Sequence, residues 1–453
     1  MDRFFGTDGI RGIAITEFTC ETAMQLGRAV AACMCRDSKK PRIVVGVDTR
    51  VSGDVIQAAL VSGICSMGAD AIITGVVPTP AVAVLVCKNN ADAGIMITAG
   101  ISSFEYNGVK IFGADGFKID KQTEAELEEL MCKPNCGSEL KDGEDIGHIY
   151  YDKDGLWDYI RHILKKVDTD YHGLKVAIDC ANGAASECGA KIFKGLGASV
   201  VLINDLPDGV NINCKCGTLD LDGLVRTVIS EHCDLGLAFD GDGARCIAVD
   251  EAGREIDGDK LIGIFAAYMQ FNKTLRNNSC VVTKMSNSGF YKFARQAGVM
   301  ISTSKVGGHN VIAEMRKSGC NLGGEKSGNI FFLDDSTTSD GLLTGTKIMS
   351  VMKKTGSKMS ELGKMVQLNP QVLINARVAR QNRTKWRDNS EITQLIMDYS
   401  SKLGTEGRLY VRESGTEPLV RIMIEGKRTG LITEYAKNIA SAIERIYGEN
   451  AQV

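Results

Sequence analysis

The chain lacks an apolar run long enough to cross a bilayer, a large excess of charge of either sign, and any cluster of histidines. Each absence closes a class of function. A membrane-spanning helix needs about 20 consecutive apolar residues. A formal net charge of -3 leaves no electrostatic footprint for nucleic acid. The five histidines, His148, His162, His172, His232 and His309, form no metal-ligand set. The 15 cysteines are odd in number and scattered, which is no disulfide framework. Cys214 and Cys216 have one residue between them, which is not the spacing of a zinc site. The cysteines read as small, mostly buried apolar residues. The stretch from Met1 to Gly6 lacks the basic-then-apolar order of a signal peptide. The expectation is a cytoplasmic protein with neither nucleic acid nor membrane as a partner.

What is present is ordinary for a soluble globular chain: 44% hydrophobic and 24% charged residues. At 453 residues it is too long for one core and should form three or four domains. Short apolar runs alternate with helical periodicity. Strands are expected at 42–47, 71–77, 94–97 and 109–112, with helices at 20–35, 55–65 and 81–89. Ser52 or Asp54 could cap the second of these helices. The alternation resumes after a polar stretch near 147 and again after Gly258. A last unit with strands at 372–378, 407–412 and 420–425 reads as antiparallel. The predicted fold class is three similar α/β domains with mixed, mostly parallel sheets plus a smaller C-terminal α+β domain. The expected boundaries are 1–147, 148–257, 258–368 and 369–453.

Several loops between these elements carry groups suited to chemistry. The stretch from Thr98 to Lys110 joins two apolar strands through small and polar residues and ends in Asn107-Gly108, a turn dipeptide. Asp240-Gly-Asp242-Gly follows a buried strand, and two hard carboxylates in a tight turn suit Mg²⁺. Gly323 to Gly328 presents Glu325 and Ser327 on glycine hinges, suited to sugar hydroxyls. Arg412 to Arg421 has the parts of a phosphate cradle. There Ser414 and Thr416 offer hydroxyls, Gly415 lets backbone N–H groups converge, and the two arginines offer forked donors. Near the start, Gly6-Thr-Asp-Gly-Ile-Arg11-Gly12 reads as a tight loop able to hold an anion.

Taken in order, these stretches resemble the α-D-phosphohexomutase superfamily, and within it the branch acting on glucosamine phosphates. The resemblance rests on Phe5 to Gly12, Asp48-Thr-Arg-Val-Ser-Gly53, Pro78-Thr-Pro80, Asp240 to Gly243 with Arg245, Gly323 to Gly328, Asp340-Gly341 and Arg412 to Arg421. It implies four domains around a central cleft and a hexose or hexosamine phosphate as ligand. It also implies a phosphoserine that exchanges its phosphoryl group with the sugar through a bisphosphate, and a Mg²⁺ on three Asp carboxylates. Lys110 and Arg245 fall in the catalytic set. Glu325, Ser327, Arg412, Ser414, Gly415, Thr416 and Arg421 fall in the substrate-binding set.

The same resemblance exposes departures. The family's Ala-Ser-His-Asn-Pro is Ala99-Gly100-Ile101-Ser102-Ser103 here, so Gly100 stands at the phosphoserine position and Ile101 at the adjacent histidine. Asp240 and Asp242 match metal ligands, but the third position is Ala244. Asn329 replaces the histidine of the sugar loop, Gly308-His309 the Asp-Arg of Gly-Asp-Arg, Val47 an arginine, and Glu413 a proline. Mg²⁺ binding is therefore expected to be weakened or absent, and ordinary turnover lost. The remaining readings are an active enzyme using Ser102, Ser103 or Thr98 in place of the serine, and a non-catalytic regulator. The latter allows a homodimer or pairing with an active relative.

Overall fold

The computed structural model describes residues 4–448, apart from 7, 8, 36, 37, 39, 405, 406 and 415–417. The chain divides into two compact units, residues 1–285 with 297–365 and residues 286–296 with 366–453.

The larger unit holds three sheets. The first runs β1 (Ile10–Ile13), β5 (Tyr106–Gly113), β4 (Ala93–Ile97), β2 (Arg42–Val47), β3 (Asp70–Val76), β6 (Ile149–Tyr151) in space. β4, β2, β3 and β6 are parallel, whereas β5 is antiparallel to both β4 and β1. Five of the six residues of β2 and all five of β4 are buried, as strands covered on both faces must be. On one face the helices Cys20–Met34 and Gly53–Ser66 bury Leu26, Val30, Ile56, Leu60 and Ile64 against Ile43, Val45, Ile95 and Ile97.

The second sheet, in the order β11 (Glu255–Ile256), β10 (Cys246–Asp250), β9 (Leu235–Phe239), β7 (Lys175–Asp179), β8 (Ser199–Ile203), repeats that plan. Its parallel pairs β7–β8 and β7–β9 are followed by antiparallel β9–β10 and β10–β11. The third, β13 (Met300–Ser304), β12 (Ser279–Thr283), β14 (Leu322–Gly324), β15 (Ile330–Phe332), has two parallel pairs and one antiparallel. The smaller unit carries β16 (Gln371–Arg377), β18 (Leu419–Glu425) and β17 (Arg408–Glu413), all antiparallel. The helices Ser390–Leu403 and Thr429–Tyr447 share its core, where Tyr399 stacks on Tyr435 at 4.0 Å between centroids. The expected class, mixed α/β sheets and then an antiparallel α+β unit, is the observed one.

Two local expectations fail for one reason. Asn107-Gly108 is no turn. It lies inside β5, where Gly108 pairs with Arg11 and Asn107 with Gly12 of β1. A Cβ on Gly108 would lie 2.0 Å from the Ile10 carbonyl oxygen, so glycine is there to let two strands meet. Ser52 precedes the helix Gly53–Ser66 but makes no capping bond. Its hydroxyl instead accepts from Asn107 Nδ2 at 2.9 Å.

Candidate active site

The loop between β4 and β5 begins where a buried parallel strand ends. Gly100 has φ +56°, in the left-handed region. The loop is held from below by Arg50, which is 3% exposed. Its Nη2 donates to the carbonyls of Gly100 at 2.9 Å and Ser102 at 2.8 Å. Its Nη1 donates to those of Tyr106, at 3.0 Å, and Ser103. Its Nε pairs with Asp48 Oδ2 at 2.9 Å. Burial pushes the Asp48 carboxyl up, against the pull of the Arg50 charge and of a 2.7 Å bond from the Thr98 hydroxyl. Thr98 Oγ1 also accepts from the Gly100 amide at 2.9 Å. From the second sheet's side Asn213 Nδ2 donates to the same carbonyls of Gly100 and Ser102, at 2.8 and 2.9 Å.

The Asp240–Ala244 turn follows β9 and meets this loop. Asp240 and Asp242 are at most 2% exposed, and Ala244 is 3% exposed. Asp242 Oδ2 is 2.5 Å from Lys110 Nζ and accepts from the Thr79 hydroxyl. Asp240 Oδ1 accepts from the Arg245 amide at 2.9 Å, and Oδ2 lies 3.5 Å from Arg245 Nε. Burial, then the neighbouring Asp242 charge, pushes the Asp240 carboxyl well above the usual range. Beneath the turn, Asp340 caps the helix Gly341–Thr355, accepting at 2.9 Å from both the Leu343 amide and the Tyr159 hydroxyl. Burial pushes its carboxyl up to about 6. Among the described residues no group of three or more His, Cys, Asp or Glu side chains gathers as a metal site. Two carboxylates, one already carrying an ammonium, do not fit a resident Mg²⁺, which demands near-octahedral oxygen ligation.

The loop at 323–328 joins the same region through the backbone. Arg245 and Asn329 form an antiparallel bridge, and the Cys246 amide donates to the Gly328 carbonyl at 3.1 Å. Glu325 is buried, accepting from the Gly307 amide at 2.9 Å and Asn329 Nδ2 at 3.1 Å. Ser327 is exposed. His309 lies in the first turn of the helix Gly308–Ser318 and lines a small hollow with Lys110, Lys118 and Glu124.

In the smaller unit Arg412 and Arg421 face each other across β17 and β18. Ser414 is buried, and its amide donates to the Leu419 carbonyl at 2.8 Å. Gly415 and Thr416 lie outside the described residues. The expected negative charge of Glu413 is offset by Arg387, whose Nη2 is 2.9 Å away. Burial raises the Glu413 carboxyl, but the bonds from Arg387 win and hold it below its usual range.

The sequence named Arg50 and Thr79 only as members of motifs and gave them no partners. Nothing in the sequence singled out Asn213. Its role depends on a positive φ (+58°) in a loop of the second sheet that reaches the first.

Models of the phosphoglucomutase/phosphomannomutase family match four segments: α/β/α domain I at residues 2–135, domain II at 157–253, domain III at 257–368 and the C-terminal domain at 373–442. The chain is 45% identical over 445 residues to a phosphoglucosamine mutase of Clostridium acetobutylicum, covering 98% of this chain and 99% of that one. A phosphoglucomutase/phosphomannomutase family protein from Burkholderia thailandensis superposes with a TM-score of 0.81 at 22% identity, covering 97% of both chains. Aspergillus fumigatus N-acetylphosphoglucosamine mutase, solved with GlcNAc-6P and magnesium, gives 0.67 at 15%, covering 98% of this chain and 95% of that one. At such identities the two structures speak for the fold alone.

Proposed function

The chain belongs to the phosphoglucomutase/phosphomannomutase (α-D-phosphohexomutase) family, and from that premise we propose that it binds a hexose or hexosamine phosphate without ordinary mutase turnover. The observation that carries this reading is Gly100. It stands where the family places its phosphoserine, and it has no oxygen to carry a phosphoryl group. Ala244 and Asn329 remove a metal carboxylate and a titratable group from the same region. Lys110, Arg245, Glu325 and Ser327 remain as phosphosugar contacts, with Arg412, Ser414, Gly415, Thr416 and Arg421 as the phosphate cradle. The 45% identity to a phosphoglucosamine mutase supports a hexosamine phosphate as ligand. We assign the binding residues to four domains at 1–147, 148–257, 258–368 and 369–453.

In the family a bound Mg²⁺ neutralises the transferring phosphoryl group; the donor set here does not fit it, and no step is routed through it. Nor is Ser102 suited to replace the missing serine. Its carbonyl accepts from both Arg50 and Asn213, bonds that a shift of the hydroxyl toward Gly100 would have to give up. Thr98 is 1% exposed, and its hydroxyl already bonds Asp48 and the Gly100 amide. The protein would then serve as a sensor of phosphosugar, alone or paired with an active relative. No described helix is long and apolar enough to cross a membrane.

The test is a coupled assay with glucosamine 6-phosphate, Mg²⁺ and glucose 1,6-bisphosphate, with phosphosite mapping on the same sample. The expected result is no turnover and no phosphate on Thr98, Ser102 or Ser103, alongside saturable ligand binding by calorimetry. Turnover with phosphate on any of these residues would overturn the reading.

A further inference from the structure

A hollow of about 490 Å³ opens on the first sheet, at the end away from the Gly100 loop. It lies where β2 and β3 begin, whereas Asp48 and Gly100 lie beyond the ends of β2 and β4. The six residues of β2 set the two places about 17 Å apart. Strand register builds the floor. Arg42 pairs with Asp70 across β2 and β3, and Ile72 with Tyr150 across β3 and β6. Side chains alternate along a strand, so Arg42, Asp70, Ile72 and Tyr150 share one face. The helix Thr79–Asn89 packs on that face, so close that a Cβ on Gly46 would lie 2.7 Å from Val82. Its last residue, Asn89, lines the hollow.

The polar groups here keep unused bonding capacity. Asp70 accepts from the His148 amide at 2.7 Å through Oδ1, and Asp92 from the Arg42 amide at 2.8 Å. Among the described residues neither the Arg42 guanidinium nor the Lys40 ammonium has an ion-pair partner. Asp152 accepts from the Asp154 amide at 3.1 Å through Oδ1. Asn89 Nδ2 is buried and finds no acceptor among the described residues, a costly state for an amide donor. Tyr150 lines the hollow and is 51% exposed, which leaves ring surface available. Lys40, Arg42, Asp70 and Asp152 bring two charges of each sign. A simple anion gains little from a balanced set. A ligand with an anionic end and a donor-bearing ring meets a partner for each part.

We propose that this hollow binds a nucleoside phosphate whose base carries an exocyclic amine. Its volume is that of a small-molecule site. Lys40 and Arg42 take the phosphate, since an ammonium and an arginine fork both suit phosphate oxygens. The base lies against Tyr150, as bases do on aromatic rings. Its amine donates to the open oxygen of Asp70 or Asp152, and a ring nitrogen accepts from Asn89. The proposal stands apart from the phosphosugar reading and uses none of its residues.

The full-length chain is titrated by calorimetry with AMP, CMP, UMP and inorganic phosphate, with and without excess glucosamine 6-phosphate. AMP and CMP should bind saturably, with dissociation constants below about 1 mM. UMP has a carbonyl where CMP has its amine and should bind about tenfold more weakly, the loss expected for a hydrogen bond to a charged group. Inorganic phosphate should bind more weakly still. Glucosamine 6-phosphate should leave the nucleotide affinities unchanged. Arg42→Gln and Tyr150→Ala should each weaken AMP binding by about tenfold or more. Both side chains are exposed, so these variants should keep the native unfolding midpoint. Absence of AMP and CMP binding would overturn the proposal, as would inorganic phosphate or UMP binding as tightly as CMP. Displacement of AMP by glucosamine 6-phosphate would place the nucleotide elsewhere and overturn it too. So would unchanged AMP affinity in either folded variant.

Discussion

Arg50 and Gly100 are joined by a 2.9 Å hydrogen bond and stand on opposite sides of a divide. Arg50 belongs to a set that holds the loop: Asp48, Thr98, Asn213 and, beneath the neighbouring turn, Asp340 and Tyr159. Every member has the partners expected of a buried polar group. Gly100, with Ala244 and Asn329, belongs to a set that on the proposed reading stands where the reacting groups would be. The two sets answer to different demands. A buried arginine or aspartate is needed by the fold, whatever the chemistry above it, because an unpaired charge in the interior is expensive. A nucleophile, a metal carboxylate and a proton carrier serve only the reaction, so the fold does not require them.

That contrast predicts large effects among the holding groups. Arg50→Met should lose roughly 3–5 kcal/mol in urea unfolding, since it strands the Asp48 carboxylate in the interior. Asp340→Asn comes next, with a pH signature. The folded carboxyl titrates at about 6 against 3.8 in the unfolded chain. The folded state therefore binds the proton more tightly, and this group's contribution is full below pH 4 and lost as pH rises through 6. Asparagine keeps the acceptor without the charge. The variant should match the native chain near pH 4 and exceed it above pH 6 by up to about 3 kcal/mol, read from unfolding midpoints across pH. Asn213→Ala should have the smallest effect, about 1–2 kcal/mol for two lost bonds to carbonyls that Arg50 still serves. It should also speed amide exchange at Ile101 to Phe104 while leaving β4 protected. A variant of Arg50 as mild as that of Asn213 would erase the distinction between the two sets.

Much of this was legible in the sequence, and what was not has a physical pattern. Arg42–Val47 was readable to the residue, because it is a short local apolar run with its own stop. β14 was missed, for Leu-Gly-Gly has no strand signal and is ordered by pairing with β12 and β15. Asn107-Gly108 misled because its glycine answers to β1, a strand almost 100 residues earlier in the chain. At the site, residue identities alone carry the reading of positions 100, 244 and 329. The clamp of Arg50 and Asn213 on the loop carbonyls had no such signature, since carbonyls are the same in every residue.

The left-handed turn at Gly100 also sets what a serine there would cost. A serine entering there can keep the turn, at a penalty of roughly 1–2 kcal/mol for an L-residue. Otherwise it turns the peptide over and withdraws the carbonyl that Arg50 and Asn213 share. In the first case the Arg11 guanidinium, 3.1 Å from the built Cβ, must also give by a few tenths of an ångström. On the reading proposed above, a serine at 100 is thus a step down in stability, with no catalytic return unless a metal carboxylate and a proton carrier accompany it. On that reading the backbone at one glycine works as a ratchet, since no single substitution there supplies the chemistry.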